Sequence, residues 1–178
     1  MPRTVCYSFA AAALAIALTM PRAAQAQQPV RVNLPAYSDL VMLDSMRTET
    51  ELSAAPERVY AGVLKAYFDL GIPTGNTDNK AGIIGSEKFE RIHQLAGAPM
   101  SRSFSCGESA NGPNADSYRI TIVVVVWVKP GKSGGSVLGI AVAASGADLS
   151  GSFRVPRPCA SNGRIEQKIL DAVEKYVK

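Results

Sequence analysis

An unbroken run of apolar and β-branched side chains at residues 120–128 (ITIVVVVWV) is the strongest pattern in the chain. β-Branched residues favour strands, and the run contains no strong helix former. Its polar and apolar positions do not alternate, so neither face of such a strand can be left to solvent. The pattern therefore predicts a central strand over residues 118–128 that is covered on both faces.

Turn residues and shorter patterns place further strands around this one. Residues 129–135 (KPGKSGG) predict a hairpin connection, and residues 136–144 (SVLGIAVAA) predict its antiparallel partner strand. Residues 47–52 (RTETEL) alternate like a short, half-buried strand nearer an edge of the sheet. Residues 74–79 (TGNTDN) indicate a turn, and residues 81–89 (AGIIGSEKF) a strand whose glycines mark a bulge or a close backbone approach.

Helical spacing of apolar residues occurs twice. Residues 55–70 predict the first helix, with Pro56 in its first turn. Ser53 would cap this helix and Gly71 would end it. A second helix is predicted at the end of the chain, with Ser161 as its cap. Each helix carries one apolar stripe for the sheet. The stripes are Val59, Val63, Tyr67 and Leu70 in the first helix, and Ile165, Ile169, Val173 and Tyr176 in the second.

The remaining segments carry weaker signals. Residues 27–36 carry two prolines and no periodicity, which predicts a flexible or extended segment, and we take residues 27–46 as a lead-in to the domain. Residues 91–97 (RIHQLAG) could form a short helical turn, and residues 100–106 alternate as a strand would. Residues 107–116 (GESANGPNAD) indicate a loop. Residues 152–155 are expected to add an edge segment of the sheet. Pro156 and Pro158 would end it.

The order of elements predicts the fold class. A strand, a helix, several strands and a final helix are typical of an α+β fold. We expect a single domain over residues 47–178, built as a mainly antiparallel β-sheet with two amphipathic helices packed on one face. The length agrees with one domain, because residues 27–178 are close to the commonest domain size.

The first 26 residues match an export signal. Arg3 provides a basic start, residues 9–18 form an apolar run, and Ala24 and Ala26 are the small residues before a cleavage site. The run is shorter than the roughly 20 residues of a membrane-spanning helix. We therefore expect cleavage after Ala26, no transmembrane span in the mature chain, and an exported protein that is periplasmic or secreted.

The charge balance argues against nucleic acid as a partner. The full chain has a formal net charge of +4, and loss of Arg3 and Arg22 with the signal lowers it to +2. The mature sequence has no basic run and no basic residues interleaved with aromatic ones. We expect no nucleic-acid binding, and the sequence leaves the oligomeric state open.

Two cysteines, Cys106 and Cys159, remain once Cys6 leaves with the signal. In the oxidising compartment that an exported protein meets, an even number of cysteines usually forms disulfides. A metal site is the alternative, but no CxxC spacing is present, and His93, the only histidine, cannot complete a four-ligand zinc site with the pair. We predict a structural disulfide between Cys106 and Cys159.

One short motif suggests phosphate binding and one residue suggests catalysis. For each we favour a purely structural role. The sequence Gly131-Lys132-Ser133 resembles the end of a phosphate-binding loop, but a strand rather than a helix follows it, which favours a hairpin tip. His93 could serve as a base, yet no GxSxG motif accompanies it, so we favour a surface histidine.

Two residue pairs could line a site. Glu108 and Asp116 flank a glycine-rich loop and could chelate a cation, but such residues usually serve the turns themselves, and their spacing matches no EF-hand. Tyr60 and Tyr67 could line a pocket, but aromatic residues at helical spacing usually belong to the core. The sequence thus indicates no cofactor, no metal ion and no catalytic residue.

The first helix and the strand after it resemble the helix-grip domains of BamC-type outer-membrane assembly lipoproteins. The similar segments are residues 57–72 (ERVYAGVLKAYFDLGI) and 78–86 (DNKAGIIGS). In that family an amphipathic helix ends in a Leu-Gly pair and leads to a strand that opens with an Asp, a Gly and an apolar pair. The equivalent residues here are Leu70, Gly71, Asp78, Gly82 and Ile83.

The chain departs from that family in three ways. It lacks the lipidation cysteine, has one such unit instead of two, and adds the Cys106 and Cys159 pair. Residues 51–63 (ELSAAPERVYAGV) also resemble START-like helix-grip proteins, which hold apolar ligands between a long C-terminal helix and a curved sheet. Both resemblances imply a helix gripped by a sheet, and neither brings catalytic residues to this chain.

These observations support three hypotheses for function. We favour an exported, non-enzymatic cell-envelope domain that acts by contact with an envelope protein partner. The alternative is a small apolar-ligand-binding protein of START-like shape, and a hydrolase is the third. A closed cavity between the last helix and the sheet would favour the binder, whereas a filled core with an exposed apolar patch would favour the contact protein. A cluster of His93 with an acid and a nucleophile would favour the enzyme.

Overall fold

The computed structural model of the chain describes residues 29–149 and 155–178. The predicted signal peptide, residues 1–26, and residues 152–154 of the predicted edge segment lie outside this part. Within it, the helices are α1 (Pro56–Asp69) and α2 (Arg164–Val177). The strands are β1 (Arg31–Val32), β2 (Val41–Met42), β3 (Thr48–Leu52), β4 (Thr74–Asp78), β5 (Ile83–Ser86), β6 (Phe89–Ile92), β7 (Gln94–Leu95), β8 (Ala98–Pro99), β9 (Phe104–Ser105), β10 (Glu108–Ser109), β11 (Gly112–Pro113), β12 (Tyr118–Pro130), β13 (Ser136–Asp148) and β14 (Arg157–Ser161).

A long antiparallel hairpin of β12 and β13 forms the centre of the sheet. The pairing runs from Tyr118 opposite Asp148 to Pro130 opposite Ser136. On its other side β12 pairs with β5 and then β6. On its other side β13 pairs with β3 and with β14. β4 then flanks β5, and β9 flanks β14, in antiparallel pairs. The predicted α+β class, the antiparallel sheet and the central position of the apolar strand are confirmed.

Both helices pack on one face of this sheet. In β12 the even-numbered side chains from Ile120 to Val128 point to them, because successive strand residues alternate between faces. Most of the predicted stripes are buried here, whereas Leu70 is only partly buried and Tyr176 lies nearer the surface. The stripe residues that are fully buried are Val59, Val63, Tyr67, Ile165, Ile169 and Val173.

The opposite face of the sheet is covered by residues 29–46, which we call the N-terminal strap. β1 and β2 pair within it, and Leu34 and Leu43 are fully buried against the odd-numbered side chains of β12. The described part of the segment predicted as flexible or extended, residues 29–36, contains the extended β1 and packs on the sheet. The strap supplies the second cover that the apolar run of β12 requires.

Two segments predicted from turn residues contain strands instead: β4 lies in residues 74–79, and the short pair of β10 and β11 lies in residues 107–116. β4 lies where a turn was predicted, and its polar residues are tolerated because it is an exposed edge strand with an irregular register between Thr74 and Thr77. Pro158 lies inside β14 rather than ending a strand. β9 pairs with Ala160 and Ser161, and no strand of the described ranges pairs with Pro158 on that outer edge, so a residue without an N–H is acceptable there.

The ends of the helices differ from the predicted caps. Ala55 precedes α1 with no side-chain cap, so Ser53 does not serve this role, although Pro56 does occupy the first turn and Gly71 does adopt a positive φ of 65°. Gly163 precedes α2, and Ser161 lies two residues before it, where its hydroxyl donates to the carboxylate of Glu166.

Gly82 confirms the predicted close backbone approach. A Cβ at this position would collide with the backbone oxygen of Val128, and the Val128 amide donates to the Gly82 oxygen at 2.7 Å. Glycine, with a φ of 66° here, is the residue that fits both requirements. The contact holds the turn before β5 against the end of β12. Across the described ranges, neither helix is long and apolar enough to cross a membrane.

Candidate functional site

The cysteine pair forms the predicted disulfide. Cys106 follows β9, Cys159 lies in β14, and their sulfur atoms are bonded, with the Cα atoms 4.4 Å apart. The two residues are only 5% and 3% exposed. The bond thus joins the irregular region 91–106 to the strand that leads into α2.

His93 is brought near an acid and a serine, but not in a catalytic arrangement. Its Nδ1 lies 2.7 Å from the backbone oxygen of Asp116, and because a carbonyl only accepts, Nδ1 donates. The Asp116 carboxylate instead accepts the backbone amide of Ser101 at 2.8 Å. In a Ser-His-Asp triad the carboxylate would orient the imidazole. These contacts brace the loops, and His93 is exposed, as predicted.

The other sequence candidates also serve the fold. Gly131, Lys132 and Ser133 form the tip of the hairpin between β12 and β13, and no helix follows them. Glu108 is exposed on β10, whereas the Asp116 carboxylate accepts a hydrogen bond from the Ser101 amide. In the ranges 29–149 and 155–178, no three His, Cys, Asp or Glu side chains are grouped so that they could hold a metal ion.

Tyr67 belongs to the core between the helices and the sheet. It is fully buried, and its hydroxyl lies 3.3 Å from the Ile84 oxygen and 3.4 Å from the Val124 oxygen, to either of which it can donate. Burial raises the pKa of this hydroxyl above its ordinary value. The apolar stripes of both helices fill the neighbouring space, so the side chains between α2 and the sheet form a packed core.

An exposed apolar surface lies on the outer side of the helices. Phe68 of α1 is 86% exposed, and it lines a shallow cleft of about 500 Å³ with Leu64 and Tyr176. Leu64 and Phe68 are one helical turn apart and lie outside the buried stripe. This spacing is the signal in the sequence that could have identified the surface.

Charged groups surround the aromatic rings of this surface. The ammonium groups of Lys65 and Lys175 lie 5.2 and 5.5 Å from the centre of the Tyr176 ring. The Tyr176 hydroxyl donates to the Asp69 carboxylate, which is the main cause of its raised pKa. We call Leu64, Lys65, Phe68, Asp69 and Tyr176 the Phe68 surface.

Two further clefts are open to solvent. One, of about 430 Å³, lies where the start of α1, the turn before β5 and the end of β12 meet, and Tyr60 lines it. The other, of about 500 Å³, lies at the start of α2 and contains Arg102 and Arg164. The chain matches no protein-family model, and no curated protein matches it either.

Proposed function

We propose that this chain is an exported, non-enzymatic domain of the cell envelope that acts by contact with another protein through the Phe68 surface. The observation that carries the proposal is the exposure of Phe68, which leaves 86% of the residue in solvent. Burial of a large aromatic side chain lowers the free energy of the system. Aromatic residues are enriched at the centres of protein interfaces. The surface has the composition of such a centre, an apolar middle with charged residues at its edge.

Two observations support export. The N-terminal sequence has the basic, apolar and small-residue regions of a signal peptide. The buried Cys106–Cys159 disulfide is of a kind that persists in oxidising compartments and is rare in the reducing cytosol. The helix-grip resemblance agrees with an envelope role, and we keep it as part of the proposal.

The packed core supports protein contact over START-like ligand binding. A START-like protein would hold its ligand between the last helix and the sheet. Here Ile165, Ile169 and Val173 of α2 are fully buried in that position and contribute to one continuous cluster. An apolar ligand would have to displace these side chains.

Site-specific crosslinking tests the proposal. A photoreactive phenylalanine placed at residue 68 of the exported protein should give one discrete adduct with a partner. The same group at residue 155 provides the control, because Val155 is 68% exposed and is not part of the Phe68 surface. Excess purified wild-type protein should compete the adduct away, whereas excess Phe68→Ser protein should not. Equal adducts from both positions, or none from residue 68, would contradict the proposal.

A further inference from the structure

The cleft beside the start of α1 has the size of a site for a small ligand. Its volume of about 430 Å³ lies within the range of roughly 300–1,000 Å³ that is typical of such sites. Three separate elements form it, so the pairing of β12 with β5 and the position of α1 hold its shape. The lining residues are Pro56, Glu57, Tyr60, Asn79, Lys80, Ala81, Gly82, Val128, Lys129 and Pro130.

The walls of this cleft are mainly apolar. Pro56, Val128, Pro130 and Tyr60 are among its lining residues, and the apolar part of the surface exceeds the polar part. Gly82 packs directly against the backbone of Val128, so this wall is closed by main-chain contact rather than by a mobile side chain. An apolar ligand body would therefore find a preformed surface.

The charge of the lining is positive. Lys80 and Lys129 enter from different elements, and Glu57 is the one acidic residue of the lining. Across residues 29–149 and 155–178, neither ammonium group forms an ion pair. The start of α1 has no side-chain cap, so its free amides add partial positive charge at the same place. A single negative charge on the ligand would complement this lining.

Tyr60 provides an independent sign that a partner is missing. Its hydroxyl is buried, and no hydrogen-bond partner for it occurs among the described residues. An unsatisfied buried hydroxyl is costly, and most such groups in proteins have a partner. Tyr60 lines the cleft but its hydroxyl has almost no exposed surface, so it would donate to an oxygen of a bound ligand only after the side chain turns toward the cleft.

We propose that this cleft binds a small apolar molecule that ends in a carboxylate, with its apolar body against Pro56, Tyr60 and Val128 and its carboxylate at Lys80 and Lys129. Charge-assisted hydrogen bonds from two ammonium groups select the anion, and the apolar walls select the body. The site goes beyond the proposed contact function, since it shares no residue with the Phe68 surface.

Titration followed by amide NMR tests the proposal on the mature, disulfide-bonded protein. The probe is 3-phenylpropionate, and 3-phenylpropan-1-ol is the uncharged probe with the same ring and chain. Small ligands bind weakly, so the titration extends to about 10 mM. We expect saturable shifts at the amides of Glu57, Tyr60, Lys80 and Lys129 with the carboxylate, and binding about tenfold weaker or more with the alcohol. No saturable shifts, or equal affinity for both probes, would overturn the proposal.

Three variants test which side chains of the cleft contribute to the affinity. Lys80→Met with Lys129→Met should weaken binding of 3-phenylpropionate about tenfold or more and leave binding of the alcohol unchanged. Lys88→Met is the matched control, because Lys88 is also an exposed lysine but does not line the cleft. Tyr60→Phe keeps the ring, removes the unpaired hydroxyl and should weaken binding several-fold. Equal losses in the Lys88 control, or full affinity in the double lysine variant, would show that the site is elsewhere.

Discussion

Gly146 of β13 lies directly against Cys159 of β14, so close that a Cβ at Gly146 would stand 2.9 Å from the Cys159 sulfur. The same Cβ would lie 2.9 Å from Ile120 and 3.0 Å from Tyr118. Real Cβ atoms do not come so near to packed groups, and each of these neighbours is buried. The absence of a side chain at Gly146 is what makes room for the disulfide on the helix face of the sheet.

Replacement of this glycine should destabilise the fold. We expect Gly146→Ala to lower the free energy of unfolding by about 1–3 kcal/mol, the usual cost of an additional methyl group in a packed core. Urea denaturation measures the change. In a Cys106→Ala, Cys159→Ala background the sulfur is gone, so the same substitution should cost less. An equal cost in both backgrounds would show that Ile120 and Tyr118, rather than the sulfur, carry the effect.

The disulfide should contribute a large share of the stability. Its cysteines are 53 residues apart in the sequence, for which chain entropy gives a stabilisation of about 4 kcal/mol. We expect reduction, or the Cys106→Ala, Cys159→Ala variant, to lower the unfolding free energy by up to this amount. Reductant should have no effect on the double variant. Mass spectrometry that finds two free thiols in unreduced, exported protein would contradict the bond.

Val124 at the centre of β12 tests the burial of that strand on its helix face. Its side chain is fully buried, so Val124→Asp places an unpaired charge in the core, at a cost of several kcal/mol against a total stability of about 5–15 kcal/mol. We expect this variant not to fold. Val155→Asp makes the same change at a residue that is 68% exposed and should melt like the wild type. A cooperative thermal transition in the Val124→Asp variant would show that the strand is not core.

Titration of Tyr176 reports on the Phe68 surface. Its hydrogen bond to Asp69 raises its pKa above the ordinary value near 10, with smaller contributions from burial and from the Asp69 charge. The bond therefore adds stability at pH values below about 10 and is lost as the pH rises through the folded-state pKa. Asp69→Asn should lower the Tyr176 pKa measured by NMR. Asp171→Asn, which removes an exposed carboxylate on α2 bonded to Gln167, should leave it unchanged.

Export should leave a mature protein that starts at Gln27. The small residues Ala24 and Ala26 follow the apolar run at the distance that signal cleavage requires. Intact mass and N-terminal sequencing of exported material measure the start. Retention of Met1, or a start beyond about residue 35, would refute this cleavage site, and the latter would also remove part of the strap.

The parts of the fold with regular periodicity could be predicted from the sequence. The stripe of α1 repeats at helical spacing, the apolar run of β12 is unbroken, and both elements are where these patterns place them. β4 could not be predicted this way because an exposed edge strand has no apolar periodicity. The strap was missed because its buried Leu34 and Leu43 are held by tertiary contact with β12, not by a local repeat.

The candidate sites follow the same division. The disulfide could be predicted because only two of the three cysteines lie outside the predicted signal peptide, which leaves one possible pairing. The cleft joins Tyr60, Lys80 and Lys129, which lie in three elements separated along the chain. No local pattern brings such residues together, since their proximity arises from the pairing of β5 with β12 and the packing of α1.

The strap also sets the order in which the chain can fold as it is made. The Tyr37 hydroxyl in the strap donates to the Ala144 oxygen of β13, 107 residues further along. Synthesis from the N-terminus therefore produces the strap long before its docking face exists, and closing so long a loop is slow. Leu34 and Leu43 remain available to wrong partners during that interval. The strap can therefore dock only after the central hairpin is complete, and its two leucines become buried last.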